Sequence, residues 1–158
     1  DGALGTKEAV EIVPKVKEKI ENFDGKIIFT RDTHFENYLK TQEGRNLPVK
    51  HCVKNTEGWQ ICSSLQPFCK EVVDKPTFGS EKLGEILKDI DTKEKIEKIT
   101  LVGLCTDICV ISNAMVIKAF LPETPIAVDA MCCAGVSPES HKRAIEAMKV
   151  CQIKIENE

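Results

Sequence analysis

From Ser80 to the C-terminus, short β-branched apolar runs alternate with stretches of helical periodicity, an order that few folds accept. Ser80–Lys88 reads as a helix, Thr92–Glu97 as a short helix or turn, and Ile99–Val102 as a strand buried on both faces. Thr106–Leu121 then reads as a helix, Pro125–Ala130 as a strand, Pro138–Lys149 as a helix capped by Ser137, and Cys151–Ile155 as an edge strand. Upstream, Lys7–Asn22 carries an apolar stripe of Ala9, Val10, Ile12, Val13, Val16 and Ile20. Thr6 stands at its cap, and Pro14 marks a kink or a second start. Lys26–Thr30 and Glu71–Asp74 are short strands, separated by a long polar stretch from Arg31 to about Cys69. Loops of that length in a compact domain tend to be functional. Strand–helix alternation implies an α/β fold, a mostly parallel, Rossmann-like sheet with helices on both faces. At 158 residues the chain suits one domain spanning 1–158. In such folds ligands bind at the carboxyl ends of the strands.

Thr100–Val110 is the stretch with the most chemistry in it. Gly103 permits a sharp bend after the strand, Thr106 is a good N-cap, and Asp107 suits the positive end of a helix dipole. The series Ile108, Ile111, Ala114, Met115, Lys118 and Ala119 follows at helical spacing. If Thr106 is the cap, Cys109 occupies the first turn, among backbone N–H groups that have no partner inside the helix. Such a position favours thiolate over thiol, and the same N–H groups can stabilise an oxyanion. Against this stands the ordinary role of a free cysteine, which is to fill space in a core.

Composition narrows the classes. A net charge of −3 gives no electrostatic reason to expect nucleic acid or an acidic membrane surface. The apolar runs are too short to span a bilayer, and the first residues carry no secretory signal. Eight cysteines could pair, but several fall within helix or strand patterns, so free thiols in a reducing cytoplasm are expected. Neither Cys105…Cys109 nor Cys132-Cys133 has the spacing of a zinc ribbon.

Three strand ends deliver polar residues to what would be one rim. The first gives Arg31, Asp32 and His34, the second Lys75, and the third Cys105 and Cys109. Asp32 and His34 alternate along an extended segment and can point the same way, and His51 can return from the long loop. One carboxylate and two imidazoles suit zinc, iron or manganese, and Glu43 or Glu36 could add a ligand. The competing reading is two surface histidines. His141 reads as a bystander on a solvated helix face. Lys75 is either solvated or turned into a cleft, where it would stabilise a thiolate.

The segments Val102–Val110, Asp74-Lys75-Pro76-Thr77-Phe78, Asp32-Thr33-His34 and Pro48–Cys52 occur in an order that resembles the isochorismatase-like cysteine hydrolases, nicotinamidase branch. The resemblance covers nearly the whole chain. It implies a six-stranded parallel sheet between helices and a Cys–Lys–Asp triad with Cys109 as nucleophile and Lys75 as its lysine. It also implies an oxyanion hole from the backbone N–H groups of Cys105 and Cys109, and a cis peptide at Leu104–Cys105. A divalent metal would sit at Asp32, His34 and His51, with Glu43 matching a fourth ligand of some members. The expected activity is hydrolysis of a small, nicotinamide-like amide through a thioester, by a cytoplasmic homo-oligomer with no nucleic-acid or membrane partner.

Two departures stand out. The family's triad aspartate lies on a first strand just before a segment like Asp1–Thr6, and that strand is absent here. Asp1 is not that aspartate by motif. The expectation is a longer natural chain, because loss of a central strand leaves two ladders unpaired. Pro48 stands where some nicotinamidases place a tryptophan that stacks on substrate, and Trp59 either takes that role or packs. The alternatives are an isochorismatase, an N-carbamoyl or ureido hydrolase on the same scaffold, or a catalytically silent member.

Overall fold

A computed structural model describes residues 2–158; Asp1 lies outside them. The helices are α1 (Lys7–Glu21), α2 (Gln42–Asn46), α3 (Glu81–Lys93), α4 (Ile111–Phe120) and α5 (Pro138–Val150). The strands are β1 (Phe29–Asp32), β2 (Val72–Lys75), β3 (Ile99–Leu104), β4 (Ile126–Ala134) and β5 (Lys154–Glu156). The expected α/β alternation is present and every strand pair is parallel. α1 continues through Pro14, which ends no helix here, and Thr6 caps it as the sequence suggests. β1 lies further along than its apolar run implied, ending on Asp32 rather than Thr30. α3 absorbs Thr92 and Lys93, so the separate short helix over Thr92–Glu97 does not form.

The strands fall into a pair, β1-β2, and a triple, β3-β4-β5. β1, β2, β3 and β5 are each hydrogen-bonded along one side only among the described residues, and β4 along both. The triple carries helices on both faces. On one, Leu83 and Leu87 of α3, Ala114 and Ile117 of α4, and Ile145 and Met148 of α5 pack with Ile126, Val128 and Ala130 of β4. On the other, Ile12 and Val16 of α1 meet Cys132 and Ala134.

β4 changes its inward face partway along. Leu101 pairs with Val128 and Gly103 with Cys133, so β4 advances five residues while β3 advances two. An odd excess reverses the alternation of side chains between the two faces of a strand. That is why Val128 and Cys132, which share parity, serve opposite cores. Met131 is exposed at the bulge. Gly103, opposite it, has φ +115°, a conformation in which a side chain would be strained.

Asp129, buried just before the bulge, joins three elements. Its Oδ2 accepts bonds from Lys19 of α1 at 2.6 Å and from Asn157 beyond β5 at 2.9 Å, while Oδ1 has no partner among the described residues. Burial alone would raise its pKa, but the bonds from Lys19 and Asn157 outweigh it and hold the carboxyl below the usual range. Its contribution is therefore fully present at neutral pH and fades as pH falls through the folded-state pKa.

Asn113, on the first turn of α4, is buried among apolar neighbours. Its Oδ1 accepts from the Ser80 N–H at 3.0 Å, and its Nδ2 donates to the carbonyls of Cys109 at 2.8 Å and Phe78 at 3.1 Å. One side chain thus ties the connection after β2 to the turn that carries Cys109.

Asp129→Asn is expected to cost about 1–3 kcal/mol, because an amide cannot replace the charge-assisted bond to Lys19. A lower urea midpoint at pH 7, with a smaller difference from the parent protein in acid, is the measurement. Asn113→Ala leaves a backbone N–H and two carbonyls without partners, so at least about 2 kcal/mol should be lost in the same titration. A midpoint equal to the parent's would contradict the tether.

Candidate active site

The C-terminal ends of β1, β2 and β3 meet, and their polar residues meet with them. In the β1-β2 ladder Asp32 stands directly across from Lys75, and Arg31 from Asp74. The Lys75 ammonium bonds to Asp32 Oδ1, lies 3.2 Å from Cys109 Sγ and donates to the Thr77 carbonyl at 3.3 Å. Lys75 is 2 % exposed, so of the two readings left open the cleft is realised. The Cys109 sulfur lies 4.0 Å from each oxygen of Asp32.

The turn that presents Cys109 differs from the sequence expectation. The Leu104–Cys105 peptide is cis. The chain then enters a π-helical turn, Thr106–Val110, in which the Val110 N–H reaches the Cys105 carbonyl at 3.0 Å, and α4 starts only at Ile111. Thr106 caps nothing; its hydroxyl is buried and hydrogen-bonded to His141 Nδ1 at 2.7 Å. His141 is accordingly half-buried, not a bystander on a solvated face, and it braces the turn from α5. Asp107 instead accepts from the Val136 N–H at 3.2 Å.

Charge around the sulfur is balanced differently from the simple helix-terminus picture. Burial pushes the Cys109 thiol up, Asp32 pushes it further, and Lys75 together with the Cys105 N–H pulls it back, leaving it raised. The resting group is therefore a thiol held beside its partners rather than a standing thiolate. Lys75 remains a cation: burial works against its charge, but Asp32 and Cys109 outweigh burial and raise its pKa. Cys105 and Cys52, both pushed up to about 11 chiefly by burial, are protonated at neutral pH. All eight cysteines are free.

Beside the triad-like group lies the histidine pair. His34 follows β1, and its N–H and C=O bond to the Cys52 carbonyl and the Lys54 N–H at 2.9 and 2.8 Å. This short parallel bridge with Val53 brings His51 alongside. One nitrogen or oxygen from each of Asp32, His34 and His51 lies within 4.8 Å of the others. His51 Nδ1 bonds to the Val49 carbonyl at 2.8 Å, which leaves Nε2 free to act as a ligand. His34 Nε2 is buried without a hydrogen-bond partner. Glu43 Oε1 stands 3.5 Å and 3.6 Å from the two Nε2 atoms, whereas Glu36 is exposed and takes no part. An orphaned imidazole nitrogen facing a carboxylate and a second imidazole fits a divalent cation.

Tyr38 was not singled out by sequence. It is fully buried, packs on both imidazoles with ring centroids 4.7 and 5.1 Å away, and donates to the Leu47 carbonyl at 2.8 Å. Its spacing four residues after His34 was the available signal. Gly44 lets α2 close over it, since a Cβ there would fall 2.0 Å from the Tyr38 carbonyl oxygen. Asn113 was likewise missed; a polar residue four positions after Cys109 within an apolar helix was its signal.

A cavity of about 230 Å³ opens onto this group, lined by Cys109, Lys75, Asp32, Arg31, Trp59 and Leu104 among others. A crevice of the same size between α1, the end of β4 and α5 contains His141, Glu8 and Glu11 but no nucleophile with an activating partner. The chemistry assigns the site to the first. No helix among the described residues is long and apolar enough to cross a membrane.

Comparison with known proteins agrees with this geometry. Residues 2–156 match the isochorismatase domain. A nicotinamidase of Schizosaccharomyces pombe is 27% identical over 190 residues, covering 96% of this chain and 84% of the relative. The crystal structure of a Pyrococcus horikoshii pyrazinamidase in complex with zinc superposes with a TM-score of 0.77 at 29% identity, over 98% of this chain and 89% of that one. A nicotinamidase/pyrazinamidase from Bacillus subtilis gives a TM-score of 0.80 at 21% identity, over 96% and 87% of the two chains, a likeness of fold. The chain belongs to the isochorismatase domain family.

Proposed function

We propose that this chain hydrolyses a small, uncharged amide of the nicotinamide class, releasing ammonia through a thioester on Cys109. The observation that carries the reading is the buried contact between the Lys75 ammonium and the Cys109 sulfur at 3.2 Å. A desolvated cation beside a thiol stabilises the thiolate as it forms, which is when nucleophilic catalysis needs it.

In the attack, sulfur bonds to the amide carbon while the thiol proton passes to a base. Asp32 lies against both Lys75 and Cys109; its part in this reading is to keep Lys75 charged while the thiolate forms, and to serve as a metal donor, rather than to be that base. The carbonyl oxygen becomes an oxyanion facing the backbone N–H groups of Cys105 and Cys109. The C–N bond then breaks and ammonia leaves with the proton. Water attacks the thioester, the acid departs, and the thiol is restored.

Asp32, His34 and His51 would hold a divalent metal, with Glu43 in reach. Such a metal supplies a Lewis acid that can orient a ring nitrogen or a water. The likeness to a zinc-bound pyrazinamidase supports this donor set. The site's charges favour a neutral substrate. Arg31 is paired with Asp74 at 2.8 Å and Lys75 with Asp32, so neither cation lining the cavity is free to receive the carboxylates of a substrate such as isochorismate.

Cys109→Ala should lower ammonia release from nicotinamide or pyrazinamide about a thousandfold or more, with an unchanged circular dichroism spectrum. Retained turnover would refute the nucleophile. Dialysis against a chelator should remove about one metal equivalent per chain, read by elemental analysis. His51→Ala should weaken zinc binding by about tenfold or more in a calorimetric titration; unaltered affinity would exclude this ligand set.

A further inference from the structure

We propose that His141 is a positioning residue for the oxyanion hole: through the Thr106 hydroxyl it fixes the stretch of backbone that aims the Cys105 N–H at the reacting group. The inference rests on the amidase reading above. It extends that reading to a residue of α5 that lines the crevice beside α1 and not the cavity over Cys109.

The π-helical turn Thr106–Val110 draws its support from outside. Its N-cap residue, Cys105, contributes no side-chain bond to it. Thr106 is fully buried, and its Oγ1 lies 2.7 Å from His141 Nδ1. A buried hydroxyl stripped of its partner is costly, so this contact pins Thr106. The next side chain, Asp107, accepts from the Val136 N–H at 3.2 Å. Two consecutive side chains of the turn thus grip one short segment, Val136–His141. That segment is itself fixed. Ser137 and Ser140 cap α5 reciprocally, and the His141 N–H bonds to the Ser137 carbonyl at 2.9 Å. A Cβ on Gly135 would fall 2.8 Å from the His141 nitrogen, so glycine lets the end of β4 run this close to α5.

The consequence falls on Cys105. On one side of it, Leu104 forms the last rung of β3 with Ala134; on the other, Thr106 is anchored to His141. Cys105 is a single residue between two fixed points. Its carbonyl accepts from the N–H groups of Ile108 at 3.1 Å and Val110 at 3.0 Å, and its own N–H bears on the Cys109 sulfur. A donor held there before the reaction needs no reorganisation when charge develops on the carbonyl oxygen. Burial lowers the His141 pKa, against an opposing pull from Asp107, so the ring meets Thr106 as a neutral imidazole at neutral pH.

Three variants test this. Thr106→Val removes the hydroxyl, His141→Ala removes the ring, and His141→Asn puts a neutral amide where Nδ1 stands. Thr106→Val and His141→Ala should each lower kcat for ammonia release from nicotinamide by about tenfold. Nicotinamide affinity, measured by calorimetry in a Cys109→Ala background, should not change when either is added. Combining the two should cost no more than His141→Ala alone, because both break one contact. His141→Asn should recover most of the loss. Amide hydrogen exchange followed by NMR should quicken by about tenfold at Cys105 in the two damaging variants and stay unchanged at Val128 of β4. If His141→Ala does not fold, Thr106→Val and His141→Asn carry the test. Unchanged kcat and exchange, additive losses, weakened nicotinamide binding, or an Asn variant no better than Ala would each overturn the proposal. So would faster exchange throughout with kcat intact, the mark of a merely structural role. Failure of wild-type protein to release ammonia from any amide would refute the amidase reading instead, and exchange at Cys105 would still decide whether His141 holds that N–H.

Discussion

An ammonium group with almost no access to water is the constraint to which the rest of this molecule answers. Lys75 can stay charged in that position only because Asp32 stands across the ladder from it and the Cys109 sulfur closes the remaining side. Burial works against that charge, and Asp32 and Cys109 together outweigh it. Three strand ends must therefore converge within a few ångströms. The parallel arrangement does this by placing all carboxyl ends on one rim. The π-helical turn and the Asn113 tether then carry Cys109 the rest of the way.

Much of this was legible in the sequence because periodicity and residue type both depend on local chemistry. The alternation of apolar runs with amphipathic segments led to the parallel α/β fold. The polar residues at three strand ends led to Asp32, Lys75 and Cys109, which the structure brings into contact. What stayed hidden depended on backbone geometry or on distant partners. Thr106 has every local feature of a helix cap, yet its hydroxyl is claimed by His141, 35 residues away. The odd excess of residues in β4 cannot be seen from a run that is apolar on both faces apart from Asp129. Tyr38 bonds to the Leu47 carbonyl, and Asn113 to the backbone of Phe78 and Ser80, segments that no spacing rule links to them.

Asp32 stands between two clusters. One oxygen holds Lys75, and the same carboxylate completes the donor group with His34 and His51. The two halves of the site therefore share a negative charge. A cation bound to the histidines would compete with Lys75 for it, and the raised pKa of Cys109, to which Asp32 contributes, would respond. The histidine cradle, its Tyr38 backing and the nucleophile are best understood as one electrostatic unit.

The two consecutive rungs of the β1-β2 ladder have a consequence of their own. Arg31 faces Asp74 and steadies the Trp59 indole; Asp32 faces Lys75 and addresses the sulfur. Neighbouring residues on a strand point to opposite sides, so sliding one strand by a single position would scramble both pairings together. The ion pair beside the sulfur and the stack on the indole are therefore fixed by one alignment, and neither strand can shift without breaking both.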